Sequence, residues 1–214
     1  MKKYDLHVHS IYSKCGLNSI KGILKTAKKK GLDGVAITDH NTAKGAVKAK
    51  KLNKDKGFEV IVGEEIMTDV GEVLAFYLKK EIKPGKFEDV IREIKKQKAL
   101  CSIAHPYTFG LRKSIGNIFG VREANAVEAF NARSLTNYEN KKAKQLAKKL
   151  KRAETGGSDA HFPWEIGRGY TLFEGNLKDA LNAKKTKAEG KTFFLFTIIN
   201  RLITFAVKSF RRLF

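Results

Sequence analysis

The segment DLHVHS (residues 5–10) sets two histidines two positions apart on a short predicted strand, residues 4–9. Because side chains alternate between the two faces of a strand, the rings of His7 and His9 are expected on one face, which Asp5 shares. Two imidazoles placed in this way can hold one divalent metal ion, and a nearby carboxylate can orient a ring by accepting its second N–H. The segment therefore predicts a metal site at one end of a strand, with Asp5 as the orienting group.

Beyond this strand, predicted strands and helices alternate along the chain. The alternation is typical of βα units and predicts a mostly parallel sheet in an α/β fold. Strands are expected at residues 34–38, 58–62, 71–78 (paired with 64–68 through a turn), 100–105, 126–131 and 153–159, and helices at residues 19–31, 43–52, 87–97 and 136–151.

The chain has five histidines, and each lies at or just past the end of a predicted strand. Sites in α/β folds form at the carboxyl ends of strands, so the set predicts one common site. Distant segments converge on one centre only when the strand ends curve towards it, which favours a barrel over an open sheet. The histidines stand in the segments DLHVHS (5–10), TDHN (38–41), AHP (104–106) and SDAH (158–161).

Carboxylates accompany these histidines at Asp39, Glu64, Glu65 and Asp159. A structural zinc site needs about four ligands and is closed, whereas this chain offers many more candidates than that. Such an excess of His and carboxylate ligands indicates a multinuclear catalytic centre, and the mixture fits manganese, zinc or iron. The chain contains no GxSxG nucleophile elbow, no Walker motif and no HExxH.

Five segments in order make the sequence similar to the PHP family (polymerase and histidinol phosphatase domains), in particular to its small stand-alone metal-dependent phosphoesterases. The similarity covers roughly residues 1–175 and rests on DLHVHS, TDHN, GEEI (63–66), AHP and GSDAH (157–161). The resemblance implies a distorted (β/α)7 barrel with two or three divalent metal ions at its carboxyl end.

Carried over position by position, the resemblance implies a set of metal ligands in which Glu65 bridges two ions. Glu64 would then be structural, and Asp39 would orient a ligand. Many relatives have an aspartate shortly after the first motif, and this chain has Cys15 in that segment. Cys15 is either a further metal ligand or a small buried residue. The alternatives are therefore a two-metal and a three-metal enzyme. The implied ligands are His7, His9, His40, Glu65, His105, Asp159 and His161.

Two arginines in loops beside the expected ligands are candidates for binding phosphate. Arg133 follows a strand and Arg168 follows GSDAH, and guanidinium groups match phosphate oxygens bidentately. Asn131 could support the same loop. We expect Arg133, Arg168, Asp159 and His161 to be the catalytic residues, with Arg133, Arg168 and Asn131 in contact with substrate.

The 214 residues carry 43 Lys and Arg against 22 Asp and Glu, a net charge of +21. The composition is that of a globular chain and excludes collagen, a disulfide scaffold and a disordered protein. The charge favours anionic partners: phosphate esters, nucleic acid or an acidic membrane surface. The lysine runs are expected mostly on solvated helix faces, and a nucleic-acid track is the alternative.

The composition changes after about residue 185. We expect a metallophosphoesterase domain over 1–185, followed over 186–214 by a linker (186–192) and an apolar, basic helix (193–214). The helix packs on the domain, lies on anionic lipid or docks a partner. We expect no membrane-spanning segment, no signal peptide and, given two cysteines without a CxxC, a cytoplasmic location.

The expected function is hydrolysis of a small phosphomonoester or a nucleotide by a metal-activated hydroxide. An exonuclease acting on short oligonucleotides is the alternative that uses the same metals. A non-catalytic nucleic-acid or membrane-surface module, with structural metals, is the third.

Overall fold

The computed structural model describes residues 1–108 and 122–211. Fifteen elements lie along these residues; those before residue 160 and the last helix correspond to predicted elements, whereas the strand and the helix found over 169–182 were not predicted. The strands are β1 (Lys2–Val8), β2 (Gly34–Ile37), β3 (Glu59–Met67), β4 (Glu72–Phe76), β5 (Leu100–Ile103), β6 (Ala126–Asn131), β7 (Ala153–Gly157), β8 (Gly169–Phe173) and β9 (Thr186–Gly190). The helices are α1 (Ile20–Lys29), α2 (Lys44–Leu52), α3 (Phe87–Lys96), α4 (Asn137–Leu150), α5 (Leu177–Asn182) and α6 (Phe194–Phe210).

The described strands form one mixed sheet in the order β7-β6-β5-β4-β3-β2-β1-β8-β9. Strands β1 to β3 and β5 to β7 pair in parallel, whereas β3 to β5 and β1, β8 and β9 pair antiparallel. The expectation of a mostly parallel sheet is therefore wrong, because half of the described pairings are antiparallel. The expected hairpin of 64–68 with 71–78 is confirmed as the β3–β4 pair.

The two ends of the sheet meet, which makes it a nearly closed barrel and confirms the expected α/β barrel class. Thr186 at the start of β9 donates its hydroxyl to the Glu154 carbonyl of β7, at 2.6 Å. Thr171 of β8 accepts from the Gly156 N–H at 2.8 Å and donates to the Gly156 carbonyl at 3.0 Å. Hydroxyl groups of β8 and β9 thus join this end of the sheet to β7, where no regular ladder connects them.

Helices cover the outside of the sheet, and α1 to α4 do so with buried apolar side chains. Helix α1 begins at Ser19, whose hydroxyl accepts from the Gly22 N–H, and it buries Ile20, Ile23 and Ala27. The buried apolar side chains form two clusters. One lies beneath the helices that cover the sheet, and the other combines strand residues with α5. Strands buried on both faces read as continuous apolar runs, which is why the sequence located them well.

The end of the chain differs from its sequence interpretation. Residues 186–190, predicted as part of a linker, form β9 and pair with β8. The prediction is wrong there because Lys and Thr on an edge strand give no apolar signal. Helix α6 is present within the predicted 193–214, and residues 212–214 lie outside the described part. None of the described helices combines the length and apolar character needed to span a bilayer.

Substituting Gly169 tests the closure of the barrel. A Cβ at Gly169 would lie 2.0 Å from the Gly157 carbonyl oxygen of β7, so Gly169→Ala must push β8 away from β7. We expect the free energy of unfolding to fall by about 1–3 kcal/mol, measured by denaturant titration. Gly85→Ala is the control, since a Cβ at Gly85 meets nothing within 4 Å. Equal stability of the two variants would contradict the closure.

Candidate metal centre

All five histidines converge at one end of the barrel, as the sequence predicts. They surround a buried group of carboxylates, and only the His40 side chain, 23% exposed, reaches the surface appreciably. The site comprises His7 and His9 at the end of β1, His40 after β2, Glu65 on β3, Glu72 on β4, His105 after β5, Glu128 on β6, and Asp159 and His161 after β7.

Glu65 lies at the centre of this group. Its Oε1 is 3.0 Å from His105 Nε2 and 3.3 Å from His7 Nε2. Its Oε2 is 2.9 Å from His40 Nδ1 and 3.3 Å from His9 Nε2. Each carboxylate oxygen therefore faces two imidazoles, the arrangement of a carboxylate that bridges two cations. Glu64, its neighbour in sequence, instead accepts from the Ile82 N–H at 3.1 Å, outside the cluster.

The hydrogen bonds around His7 determine which of its ring nitrogens carries a proton. Its Nδ1 lies 2.9 Å from a carboxylate oxygen of Glu128, which accepts and so requires an N–H on Nδ1. The lone pair of neutral His7 is therefore on Nε2. This nitrogen points at His9 Nε2, only 3.1 Å away.

His9 is oriented through a hydroxyl. Ser13 donates its hydroxyl proton to Asp39 at 2.7 Å and so accepts from His9 Nδ1 at 3.1 Å. The lone pair of His9 is then also on Nε2, facing that of His7. When both rings are neutral, two lone pairs at this separation repel each other unless a proton or a metal ion lies between or beside them. The pair thus has the chemistry of a site that holds a divalent ion.

Asp159 and His161 complete the ring from the loop after β7. Asp159 Oδ1 is 3.3 Å from His9 Nε2 and 3.7 Å from His7 Nε2. His161 Nδ1 donates to the Asp159 carbonyl at 2.8 Å, which leaves Nε2 as the lone-pair nitrogen of that ring. Asp159 and His105 have positive φ, 53° and 24°, a conformation that is costly for such residues and concentrates at functional sites.

The ligand atoms form three overlapping groups, each within 4.8 Å: His9, His40 and His161; His7, His9 and Asp159; and His40, Glu65 and Glu72. Imidazole and carboxylate donors in such a set suit first-row divalent ions, so the residues fit the metals expected from the sequence. Their overlap through His9 and His40 fits neighbouring ions rather than a single one.

Charges within the cluster keep its central carboxylate ionised. Burial raises the pKa of Glu65, but the imidazoles of His7 and His40 outweigh burial and hold this pKa well below its usual range. Burial lowers the pKa of His7 and of His40, and the carboxylate of Glu65 outweighs it, so both imidazole pKa values lie well above the ordinary one. The carboxylate stays ionised and attracts cations at any pH near neutral.

Asp39 and Asp5 support the site in different ways. Asp39 accepts from the Ser10 N–H at 2.6 Å and positions Ser13, so it orients His9 through a hydroxyl. The prediction that Asp5 orients a ring is wrong: its oxygens accept from the backbone N–H groups of Ser158 at 2.8 Å and Gly167 at 2.8 Å. Asp5 therefore tethers the loop that follows β7.

Two carboxylates of the centre were missed by the sequence analysis. Glu128 binds His7 and also accepts from the His105 N–H at 2.7 Å. Glu72 lies 3.4 Å from His105 Nε2 and 3.5 Å from His40 Nδ1. Both were visible as single acids in otherwise apolar strands, AVEAFN and GEVLAFYL, where a buried charge needs a partner.

Cys15 is buried, and its side chain hydrogen-bonds the imidazole of His40, whose pKa it raises. It therefore lies at the edge of the metal centre, on the side of His40 and His161. This position is compatible with the ligand role that the sequence left open.

The residues expected to bind phosphate lie around the rim. Asn131 Nδ2 donates to Glu128 at 3.1 Å and to Asp159 at 3.3 Å, so it supports two carboxylates of the site. Arg133 is buried, with Nη2 2.8 Å from Thr204 of α6. The guanidinium of Arg168 lies 3.6 Å above the centre of the Phe196 ring, also on α6. Both arginine side chains are therefore in contact with α6.

Comparison with protein families agrees with this geometry. Residues 5–140 match the PHP domain and residues 137–184 the PHP-associated region that follows it. The chain belongs to the PHP domain family.

Two uncharacterized proteins of Methanocaldococcus jannaschii are similar in sequence. One is 42% identical over 141 residues, 61% of this chain and 82% of the relative. The other is 38% identical over 204 residues, covering 87% of this chain and 81% of the relative.

Solved structures show the same fold. A two-domain protein of Bacteroides vulgatus, described as containing a predicted PHP-like metal-dependent phosphoesterase, superposes with a TM-score of 0.73 at 21% identity; the match covers 89% of this chain and 65% of that protein. Endonuclease Q bound to a duplex with an abasic lesion gives a TM-score of 0.57 at 17% identity, covering 86% of this chain and 56% of that one.

Replacing Glu128 tests how the centre is built. In Glu128→Gln the amide cannot offer two anionic oxygens to the His7 ring and the His105 backbone, so these ligands lose their orientation. We expect the affinity for Mn²⁺, measured by isothermal titration calorimetry, to fall by about 10- to 100-fold. Glu154→Gln on β7 is the control, because Glu154 contacts the Ala188 backbone of β9 and no site residue named here. An unchanged affinity for Mn²⁺ in Glu128→Gln would show that Glu128 does not support the metal ligands.

Proposed function

We propose that this PHP-domain chain is a phosphoesterase that hydrolyses a small phosphomonoester or a nucleotide with the help of two or three divalent metal ions. The observation that carries the proposal is the Glu65 carboxylate, which faces four imidazoles with its two oxygens. A structural site would be closed by about four ligands, whereas this one offers overlapping sets.

The proposed ligand roles are those that the family resemblance implies, and the distances between the side chains support them. His7, His9 and Asp159 would hold one ion, Glu65 would bridge it to a second, and His105 would bind that second ion. His40 and His161 would hold a third, with Cys15 beside them. Divalent ions held there supply a nucleophilic water at neutral pH and positive charge opposite the phosphate oxygens.

The chain's own residues then orient the ester and handle protons. His161 has its lone pair on Nε2, because its Nδ1–H is committed to the Asp159 carbonyl. That nitrogen can accept a proton or bind a metal ion. The Asp159 carboxylate lies beside the His9 ring and so positions the loop that carries both Asp159 and His161. In our proposal Arg133 and Arg168 provide bidentate N–H groups for the phosphate, and Asn131 fixes the loop that carries Arg133, accepting its backbone N–H at 2.9 Å.

A small substrate is supported by the position of α6. The helix covers both arginines, with Thr204 bonded to Arg133 and Phe196 stacked on Arg168. Among the site histidines His40 is the one with appreciable exposure. This arrangement suits a compact ester that enters beside His40 better than a duplex that needs an open groove.

Release of inorganic phosphate tests the proposal. We expect the purified chain with Mn²⁺ to release phosphate from one class within a panel of nucleotides and sugar phosphates, and chelator to abolish the release. His105→Ala and Asp159→Ala should lose it, because each removes a ligand of the centre, whereas the control Glu154→Gln should retain it. Full activity in His105→Ala or Asp159→Ala would overturn the site assignment.

An exonuclease acting on short oligonucleotides is the second candidate. The net charge of +21 favours a polyanionic substrate, and the structural neighbour endonuclease Q is bound to DNA. This activity would release nucleotides from an end-labelled oligomer and would weaken steeply as salt rises. If the chain releases phosphate from nucleotides only when metal is present and leaves the labelled oligomer intact, the small substrate is the correct choice.

A further inference from the structure

Helix α6 is amphipathic in the reverse of the usual sense. It directs its polar stripe onto the barrel and its apolar stripe into solvent. Thr197 and Asn200 are each 2% exposed, whereas Leu195 is 69% and Leu202 65% exposed. A surface helix ordinarily buries its apolar stripe, so this orientation needs a cause other than packing within the chain.

Specific hydrogen bonds hold the polar stripe in place. Arg201 Nη2 donates to the Arg133 carbonyl at 2.7 Å. Asn200 Oδ1 accepts from the indole N–H of Trp164 at 3.3 Å. At the end of the helix, Arg211 Nη1 donates to the Gly16 carbonyl at 3.0 Å. These bonds spread over three turns and fix which face of α6 is turned outward.

The outward stripe forms a continuous apolar surface. Its side chains recur at the helical spacing of three and four residues and are between 40% and 69% exposed. Apolar patches of this kind on a protein surface mark sites of interaction. The stripe consists of Leu195, Ile199, Leu202, Ile203 and Phe205, with Phe194 at its start.

The charge of the helix and of the whole chain indicates which kind of partner fits this stripe. Residues 193–214 contain no acidic residue, Lys208 lies in the last turn of α6, and the whole chain has a net charge of +21. A second copy of the chain would bring the same large positive charge to the interface and be repelled. An anionic bilayer surface attracts such a chain and offers an apolar layer beneath its headgroups.

We propose that the outward face of α6, Leu195, Ile199, Leu202, Ile203 and Phe205, docks on the surface of an anionic lipid bilayer. The helix lies parallel to the membrane and inserts its apolar stripe, while its polar stripe stays on the barrel. Trp164, 52% exposed beside Asn200, adds an aromatic side chain of the type enriched at membrane interfaces. This inference does not depend on the proposed catalytic activity.

Vesicle co-sedimentation of the full chain tests the docking without any measure of catalysis. We expect binding to vesicles of phosphatidylcholine and phosphatidylglycerol in equal parts, much weaker binding to phosphatidylcholine alone, and loss of binding as salt rises. The double variant Leu195→Ser with Leu202→Ser should bind the anionic vesicles at least about tenfold more weakly, since it removes two inserted side chains. Both positions are exposed, so the fold should be retained, which thermal unfolding checks.

The matched control is Leu52→Ser with Met67→Ser, which removes two side chains of 41% and 42% exposure away from α6 and should bind like the parent chain. Absence of binding to anionic vesicles, or equal binding by the α6 variant, would overturn the proposal. So would a parent dimer in sedimentation velocity that the α6 variant abolishes, because the stripe would then be occupied by a second copy.

Discussion

The structure depends on keeping one buried carboxylate, that of Glu65, ionised among four imidazoles. A buried carboxylate without compensation would take up a proton and become neutral, so the surrounding groups must supply positive charge to keep it ionised. The imidazoles do so in part: when protonated they carry positive charge themselves, and when neutral His7 and His9 turn facing lone pairs toward a cation. Divalent cations satisfy both the carboxylate and the lone pairs.

Around this centre, a second set of side chains determines how each ligand is presented. Glu128 fixes the ring of His7, and Ser13 transmits the charge of Asp39 to His9. Asp5 acts on the ligands indirectly, because it tethers the loop that carries Asp159. Ligands with predetermined orientation lose little entropy when an ion binds, which is the physical advantage of building the site at strand ends.

The closed sheet and α6 define the surroundings of that centre. Closure brings β7 against β1, so that the loop after β7 meets the histidines that follow β1. Helix α6 then lies over the arginines at the rim and turns its apolar stripe outward. One helix therefore shapes access to the site and gives the chain a surface unlike the lysine-rich helices elsewhere.

The sequence by itself determined most of the alternating strands and helices and the common location of all five histidines, because short motifs at strand ends carry these features locally; the choice of Glu65 over Glu64 came from the resemblance to the PHP family. Only the tertiary structure decided that Glu72 and Glu128 join the centre and that Asp5 binds backbone amides instead of a ring. It also decided that 186–190 forms an edge strand and that α6 faces outward with its apolar side. These outcomes depend on which distant strands become neighbours, and strand order and register are set by packing across the whole barrel rather than by any local pattern.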